Sequence, residues 1–188
     1  VNQMPAVFYV KEEIIVKETS LTEARCLAES GGAVPIVRQL LADMVTPLGL
    51  MSLIRKDHDR YFLLESLEGI DARGRYSFIG YDPLLRLSAK DFAVTVETRK
   101  GTQKSGKAPL DLIRNYLKEY QNPKVPGLPP FTGGFVGYFS YDFIQYCEPS
   151  LRFDPKKATD FPDFDLLLFD KVIVFDAIKQ TLFFNVNT

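Results

Sequence analysis

The sequence predicts an α+β domain in which a few helices pack on largely antiparallel sheets. Two observations indicate this class. Strand-like segments follow one another in blocks joined by short turns, without the strand–helix alternation that a parallel sheet needs. Hydrophobic residues make up 46% and charged residues 25% of the 188 positions, which is an ordinary globular composition. Because a typical domain has about 150 residues, we expect residues 1–188 to form a single domain.

The first part of the chain is predicted to contain a short strand over 6–10 and a short helix over 21–30. Pro35 then opens a second helical pattern, since proline is tolerated in the first turn of a helix. The apolar positions that predict this helix are spaced at i, i+3, i+4 and i+7: Val37, Leu40, Leu41 and Met44.

Thr46 followed by Pro47 is typical of a helix N-cap and first helical residue, and the polar run 56–60 should end that helix after about two turns. The middle of the chain is rich in strand signals. The polar segment 101–108 is predicted to be a loop. Four strands are predicted before it, over 61–65, 75–81, 84–89 and 92–98.

Pro109 is predicted to start a further helix, with Leu110, Ile113 and Leu117 on its buried face. The proline-rich residues 123–130 are predicted to form a surface linker. The remaining predicted elements are a strand over 132–142 with close backbone approach at its glycines, an irregular segment over 143–162, and an apolar hairpin over 165–175 and 180–186.

Charge and apolar patterning exclude several classes of protein. Lys and Arg number 23 against 24 Asp and Glu, so a net charge of −1 argues against a nucleic-acid partner and a basic membrane contact. No apolar run reaches the length of a transmembrane helix, and the first residues lack a secretory signal. Cys26 and Cys147 are far apart, which predicts buried free thiols in a cytoplasmic protein.

No catalytic residue and no metal site are predicted in this chain. A single histidine, His58, leaves few nucleophile–base pairs, and two distant cysteines do not form a zinc motif. Gly101 to Lys107 matches part of a phosphate-binding loop, but Ala108 stands where the magnesium-binding hydroxyl is required.

A candidate binding site is predicted where two strands meet. Glu65 and Ser66 end one strand, and Arg75, Tyr76 and Ser77 begin the next. Such a site could hold a zwitterion, with Glu65 on the ammonium group, Ser66 on a polar group and Tyr76 as an aromatic wall. The same residues would also suit an ordinary hairpin with solvated polar ends. Taken alone, the residue pattern favours this hairpin over a binding site.

Several motifs together resemble the amino-terminal region of anthranilate synthase component I, in the chorismate-utilising enzyme family. They are collinear from about residue 30 to residue 188. They are Val34-Pro-Ile-Val-Arg38, Thr46-Pro-Leu48, Leu63-Leu-Glu-Ser66, Arg75-Tyr-Ser-Phe-Ile-Gly80, Gly133-Gly-Phe-Val-Gly-Tyr138 and Tyr141-Asp142.

The resemblance implies a role in tryptophan biosynthesis. The whole enzyme of this family converts chorismate to anthranilate and pyruvate, with Mg²⁺ and with ammonia from a glutamine amidotransferase partner. Its chemistry lies in a carboxy-terminal chorismate-binding domain, so this chain alone is expected to be inactive and to hold no cofactor. Carried over by position, the feedback site for tryptophan comprises Leu64, Glu65, Ser66, Tyr76 and Ser77.

Two alternatives stay open: the same domain of aminodeoxychorismate synthase component I, and a non-catalytic amino-acid-binding module. The length of the native gene would separate the enzyme from the module. We also expect the chain to self-associate, because a hairpin with apolar residues on both faces should normally be covered by the carboxy-terminal domain. The residues behind this expectation are Val172, Val174, Leu182 and Phe184.

Overall fold

The computed structural model describes residues 15–29, 31–65, 74–123, 125–148, 150–151 and 161–188. It confirms the predicted α+β class. Strands lie at β1 Ile15–Glu18, β2 Pro35–Leu41, β3 Tyr61–Glu65, β4 Tyr76–Tyr81, β5 Leu85–Lys90, β6 Ala93–Thr98, β7 Gly101–Ser105, β8 Gly134–Phe139, β9 Phe164–Phe169, β10 Lys171–Asp176 and β11 Thr181–Asn187. Helices lie at α1 Leu21–Glu29, α2 Pro47–Asp57, α3 Pro109–Glu119 and α4 Ile144–Cys147, the last preceded by a 3₁₀ turn at Tyr141–Phe143.

The strands form two sheets in which every described pair is antiparallel. The first sheet has six strands in the order β1-β2-β11-β10-β4-β3. The second has five in the order β7-β6-β5-β9-β8. The predicted candidate site therefore lies on β3 and β4, at one edge of the six-stranded sheet.

Each face of the six-stranded sheet is covered by apolar side chains. On one face Val172 and Val174 pack with Val37 and Phe183. On the other, Ile173 and Leu182 pack with Ala42 and Ile79, and Leu50 and Ile54 of α2 lie against them. This two-sided burial corrects the reason given above for self-association: Val172, Val174 and Leu182 are buried within this chain, and Phe184 is half-buried.

The chain passes between the sheets at two places. β4 leads into β5 through Asp82, Pro83 and Leu84, and β9 leads into β10 through Asp170 alone. The segment 165–175 is therefore not one strand, as predicted, but parts of two strands in different sheets. Asp82 ties the sheets together, because its carboxylate accepts hydrogen bonds from Lys171 of one sheet and from Arg99 beside the other.

The helix predicted to start at Pro35 is wrong, since Pro35–Leu41 forms strand β2. Burial along β2 alternates, with Pro35, Val37 and Gln39 buried and the residues between them exposed, which is the period of a strand. Proline is acceptable at the first residue of a strand. The same apolar residues satisfy a helical spacing too, and pairing with β1 and β11 decides between the two.

The loop predicted over 101–108 is also wrong in its first part. Gly101–Ser105 is strand β7, which pairs with β6 at the edge of the five-stranded sheet. Its side chains are almost all exposed, so it lacks the apolar alternation that predicts strands. Polar residues suit an edge strand because they discourage pairing with other chains.

Other boundaries differ by smaller amounts. Thr46 caps α2 as predicted, accepting a hydrogen bond from the backbone N–H of Gly49 at 3.1 Å, but the helix runs three turns to Asp57. Helix α3 buries Ile113, as predicted, but it also buries Leu112, and Leu117 is exposed.

Both described cysteines are free but exposed, which corrects the prediction of buried thiols at Cys26 and Cys147. No helix formed by the described residues is long and apolar enough to span a membrane. The strand predicted over 6–10, and part of the irregular segment predicted over 143–162, lie outside the described residues.

Candidate functional site

The candidate site is built on the hairpin of β3 and β4. Among the described strands, β3 forms the edge of its sheet and pairs only with β4. Their register places Leu64 opposite Phe78 and Glu65 opposite Ser77. Ser66, the fifth predicted site residue, lies outside the described residues.

Glu65 and Ser77 form one half of the site. The Ser77 hydroxyl donates a hydrogen bond to Oε1 of Glu65 at 3.3 Å. Ser77 is buried, whereas Glu65 is exposed at the end of its strand. Both residues lie on the sheet face that α2 covers, because Ile79 and Leu63, two positions away on the same strands, belong to that face. The arrangement places an exposed carboxylate at the edge of the sheet, with one of its oxygens fixed by the hydrogen bond from Ser77.

Leu64 and Tyr76 lie on the opposite face. Tyr76 packs with Phe78, their ring centroids 6.0 Å apart, and both contact the apolar cluster around Val174. Leu64 is half exposed on this face. The structure therefore brings Glu65 together with Ser77, and Leu64 together with the aromatic pair, but it separates the Glu65 carboxylate from Tyr76 by the thickness of the sheet.

Sequence reasoning missed Asp176, which lies beside the site. Asp176 ends β10 and is completely buried. Its carboxylate accepts two hydrogen bonds from the Arg75 guanidinium, Nε to Oδ1 at 3.0 Å and Nη2 to Oδ2 at 2.5 Å. It also accepts the backbone N–H groups of Ile178 and Lys179, each at 3.1 Å. The two residues are 101 positions apart, so one sequence offers no signal that pairs them.

Electrostatics around Asp176 favour its charged form. Burial alone would raise the pKa of this carboxyl group. The hydrogen bonds from Arg75 and from two backbone N–H groups outweigh burial, so the pKa of Asp176 lies below its usual value. The same hydrogen bonding raises the pKa of Arg75. The Arg75 guanidinium carbon also lies 4.8 Å from the centroid of the Tyr76 ring, within range of a cation–π contact.

A cavity lies at the far edge of the same sheet. It encloses about 610 Å³ of empty space, including its open mouth, between α1, β2 and residues near Leu128. Its walls are mostly apolar, with Cys26 and Lys17 among the polar side chains. Among the described residues, no three His, Cys, Asp or Glu side chains lie close enough to hold a metal ion.

No family model matches the chain. Curated relatives do. It is 38% identical over 176 residues to "Anthranilate synthase component 1" of Acinetobacter calcoaceticus, which covers 90% of this chain and 35% of the relative. The component 1 of Acetivibrio thermocellus is 32% identical, with 89% and 34% covered. The chloroplastic alpha subunit 2 of Arabidopsis thaliana is 34% identical, with 88% and 29% covered.

The chain thus spans about a third of the length of the curated relatives it matches. A crystal structure of anthranilate synthase component I from Streptococcus pneumoniae is similar over 76% of this chain and 29% of its own, at 22% identity and a TM-score of 0.48. The curated relatives confirm the resemblance to anthranilate synthase component I that the sequence predicts.

Proposed function

We propose that this chain is the amino-terminal part of component I of an anthranilate synthase, and that it supplies regulation and domain packing rather than catalysis. The observation that supports this proposal is a sequence similarity that covers about nine-tenths of this chain. In the enzymes bearing that name, the similar region is about a third of their length. The complete gene product would be a lyase of tryptophan biosynthesis that converts chorismate and ammonia to anthranilate and pyruvate. A cytoplasmic location is part of the proposal, and the free thiols of Cys26 and Cys147 favour a reducing compartment.

The remaining partners belong to the same proposal. A carboxy-terminal domain of the same polypeptide would bind chorismate and Mg²⁺, and a glutamine amidotransferase would deliver ammonia. Tryptophan would act as a feedback effector at the residues carried over by the resemblance, Leu64, Glu65, Ser66, Tyr76 and Ser77. Its ammonium group would lie on the face of the hairpin that carries Glu65 and Ser77, opposite the face of Tyr76. The exposed Glu65 carboxylate has the charge that an amino acid's ammonium group requires, and Ser77 fixes one of its oxygens.

The activity is tested with the complete gene product. Chorismate, ammonium and Mg²⁺ should give anthranilate, detected by its fluorescence, together with pyruvate. Residues 1–188 expressed alone should give no product. Formation of aminodeoxychorismate in place of anthranilate would refute the proposal in favour of the related synthase, and turnover by residues 1–188 alone would refute the division of roles.

The effector site is tested with Glu65→Gln in the same enzyme. Hydrogen bonds to charged groups contribute about 1.5–3 kcal/mol, and 1.4 kcal/mol is a factor of ten. We therefore expect the tryptophan concentration for half-inhibition to rise at least about tenfold. Glu18→Gln is the control, because Glu18 is an exposed carboxylate paired with Arg38 at the other edge of the sheet. Equal inhibition curves for wild type and Glu65→Gln would exclude Glu65 from the site.

A further inference from the structure

Two ion pairs of the same geometry hold the two sheets. In the six-stranded sheet, Arg75 donates Nε and Nη2 to the two oxygens of Asp176 at 3.0 and 2.5 Å. In the five-stranded sheet, Arg86 donates the same two nitrogens to Asp165 at 2.8 and 2.5 Å. The first pair lies beside the candidate effector site, and the second lies in the other sheet. The Arg86–Asp165 pair therefore serves as a control with the same hydrogen-bond geometry.

The Arg75–Asp176 pair is one part of a larger junction. Asp176 also accepts the backbone N–H groups of Ile178 and Lys179 in the turn between β10 and β11. From the same turn, the backbone N–H of Ala177 donates to the carbonyl oxygen of Arg75 at 2.9 Å. The junction, which we call the Arg75–Asp176 clamp, therefore fastens the residue before β4 to the middle of the sheet.

The clamp controls the end of the hairpin that contains the candidate site. Tyr76 and Ser77 are the first residues of β4 and follow Arg75 directly. In the part of the chain that the structure describes, β3 has β4 as its only neighbouring strand, and the Ser77 hydroxyl holds its last residue, Glu65. Glu65 is thus held by Ser77. The start of β4 is held in two ways, by its backbone pairing with β10, in which Tyr76 lies opposite Asp176, and by the clamp at Arg75.

We propose that Asp176 is a positioning residue for the effector site: acting through Arg75, it fixes the start of β4 and so orders Tyr76, Ser77 and Glu65 before an effector binds. The inference rests on the proposed function, since the effector is tryptophan only if the chain belongs to a feedback-inhibited enzyme. Without the clamp, binding would have to order these residues, and that cost in conformational entropy would weaken the effector's affinity. Asp176 itself does not touch the effector.

The first test measures positioning without any effector. Hydrogen–deuterium exchange is followed in the complete gene product for Asp176→Asn, Arg75→Gln, the double variant and the control Asp165→Asn. We expect exchange to become at least about tenfold faster at the clamped end of the hairpin, residues 64–65 and 76–77. The other end, where Tyr61 pairs with Tyr81, should change little. The control should leave both ends unchanged, and uniform acceleration along the hairpin in Asp176→Asn would overturn the proposal.

The second test measures inhibition by tryptophan, normalised to the rate of each variant without tryptophan. Asp176→Asn should raise the half-inhibiting concentration at least about fivefold, and Asp165→Asn should change it less than about twofold. Since Asp176 acts through Arg75, the double variant should show no larger shift than either single variant. Additive shifts, or equal shifts in Asp176→Asn and Asp165→Asn, would overturn the proposal.

The two tests separate the inference from the proposed function. A wild-type enzyme that tryptophan does not inhibit would refute the feedback role, while the exchange measurement would still decide whether Asp176 positions the hairpin. Should Asp176→Asn fail to fold, Arg75→Lys replaces it. Lysine keeps the positive charge but cannot form the paired hydrogen bonds of a guanidinium, so the same exchange pattern is expected.

Discussion

The buried carboxylate of Asp163 is stabilised by hydrogen bonds from neighbouring residues. It is 4% exposed, and its Oδ2 accepts hydrogen bonds from the Tyr146 hydroxyl and from the backbone N–H of Asp91, both at 2.8 Å. Tyr146 in turn accepts the backbone N–H of Phe92 at 2.8 Å. Asp91 and Phe92 form the turn between β5 and β6 with φ values of 49° and 64°, a left-handed conformation that glycine or asparagine usually supplies. Tyr146 and Asp163 therefore stabilise an unfavourable turn from outside it.

We predict that Tyr146→Phe destabilises the chain by about 1–3 kcal/mol, because Asp163 and the Phe92 N–H each lose a partner while the ring contacts remain. Urea denaturation of the 188-residue chain measures the loss. Tyr138→Phe is the control, since its ring also stacks on a neighbour, Phe161, and its hydroxyl makes no hydrogen bond among the described residues. Similar stabilities for the two variants would contradict the role of the Tyr146 hydroxyl.

Because of Asp176, we predict that the free energy of unfolding decreases at acid pH. Its pKa is lowered in the folded state, where hydrogen bonds from Arg75 and the turn outweigh burial, so its carboxylate stabilises the fold above the unfolded pKa of about 3.9. That contribution is lost as pH falls below about 4 and through the lower folded pKa. Breaking a buried pair costs about 3–5 kcal/mol. The stability gap between wild type and Asp176→Asn, measured by urea denaturation, should be of this order at about pH 7 and shrink steadily below about pH 4. A gap that does not change with pH would disprove it.

Gly137, in the middle of β8, sets how closely two strands can approach. A Cβ atom built there would lie 2.0 Å from the backbone carbonyl oxygen of Asp165 on β9, which cannot move aside as a flexible side chain can. We predict that Gly137→Ala destabilises the chain by about 1–3 kcal/mol or more, because the β8–β9 pairing must open. Gly106→Ala is the control, with no atom within 4 Å of its new Cβ. Thermal unfolding should separate the two variants clearly, and an unchanged midpoint for Gly137→Ala would refute the close contact.

Elements with a single consistent pattern could be predicted from the sequence, and those that depend on distant partners could not. The cap at Thr46 is local, and the β3–β4 hairpin follows from apolar runs and turn residues. Strand β2 satisfies two periods at once, and its pairing with β1 and with β11, the latter more than 130 residues later, selects the strand. Strand β7 is polar because it lies at an edge, so it lacks an apolar signal.

The same limit applies to the candidate site. Its residues on β3 and β4 could be listed from the motifs, but not their division between two faces. Alternation along a strand always separates neighbours such as Tyr76 and Ser77. Asp176 escaped notice because an acidic residue after an apolar run predicts a turn, and its pairing with Arg75 is a product of the sheet order.

For the whole molecule, the predicted self-association needs a different surface from the one the sequence indicated. Three exposed aromatic side chains lie around the edge strand β8: Phe139 is 50% exposed, Tyr141 81% and Phe161 56%. The outer edge of β8 has no partner among the described strands. A free strand edge beside an apolar patch favours contact with another chain.

We predict that residues 1–188 associate at high concentration and that Phe139→Ser with Phe161→Ser weakens the association at least about tenfold in sedimentation experiments. Ile178→Ser is the control, because Ile178 is 67% exposed but lies in the turn after β10, in the other sheet. Equal weakening by the control, or a wild type that stays monomeric, would count against the β8 surface.

Strand β11 has a consequence for the order of events on the ribosome. It is made of residues 181–187, yet it occupies the third position of the six-stranded sheet, between β2 and β10. The Gln39 amide, for example, donates to the Thr181 hydroxyl at 3.2 Å across 142 residues of sequence. Synthesis proceeds at about 5–20 residues per second, so β1 and β2 wait many seconds for their partner. During that interval a chaperone could bind the apolar side of β2. A nascent chain that stops before Thr181 would leave this side exposed, and we expect such a chain to be degraded.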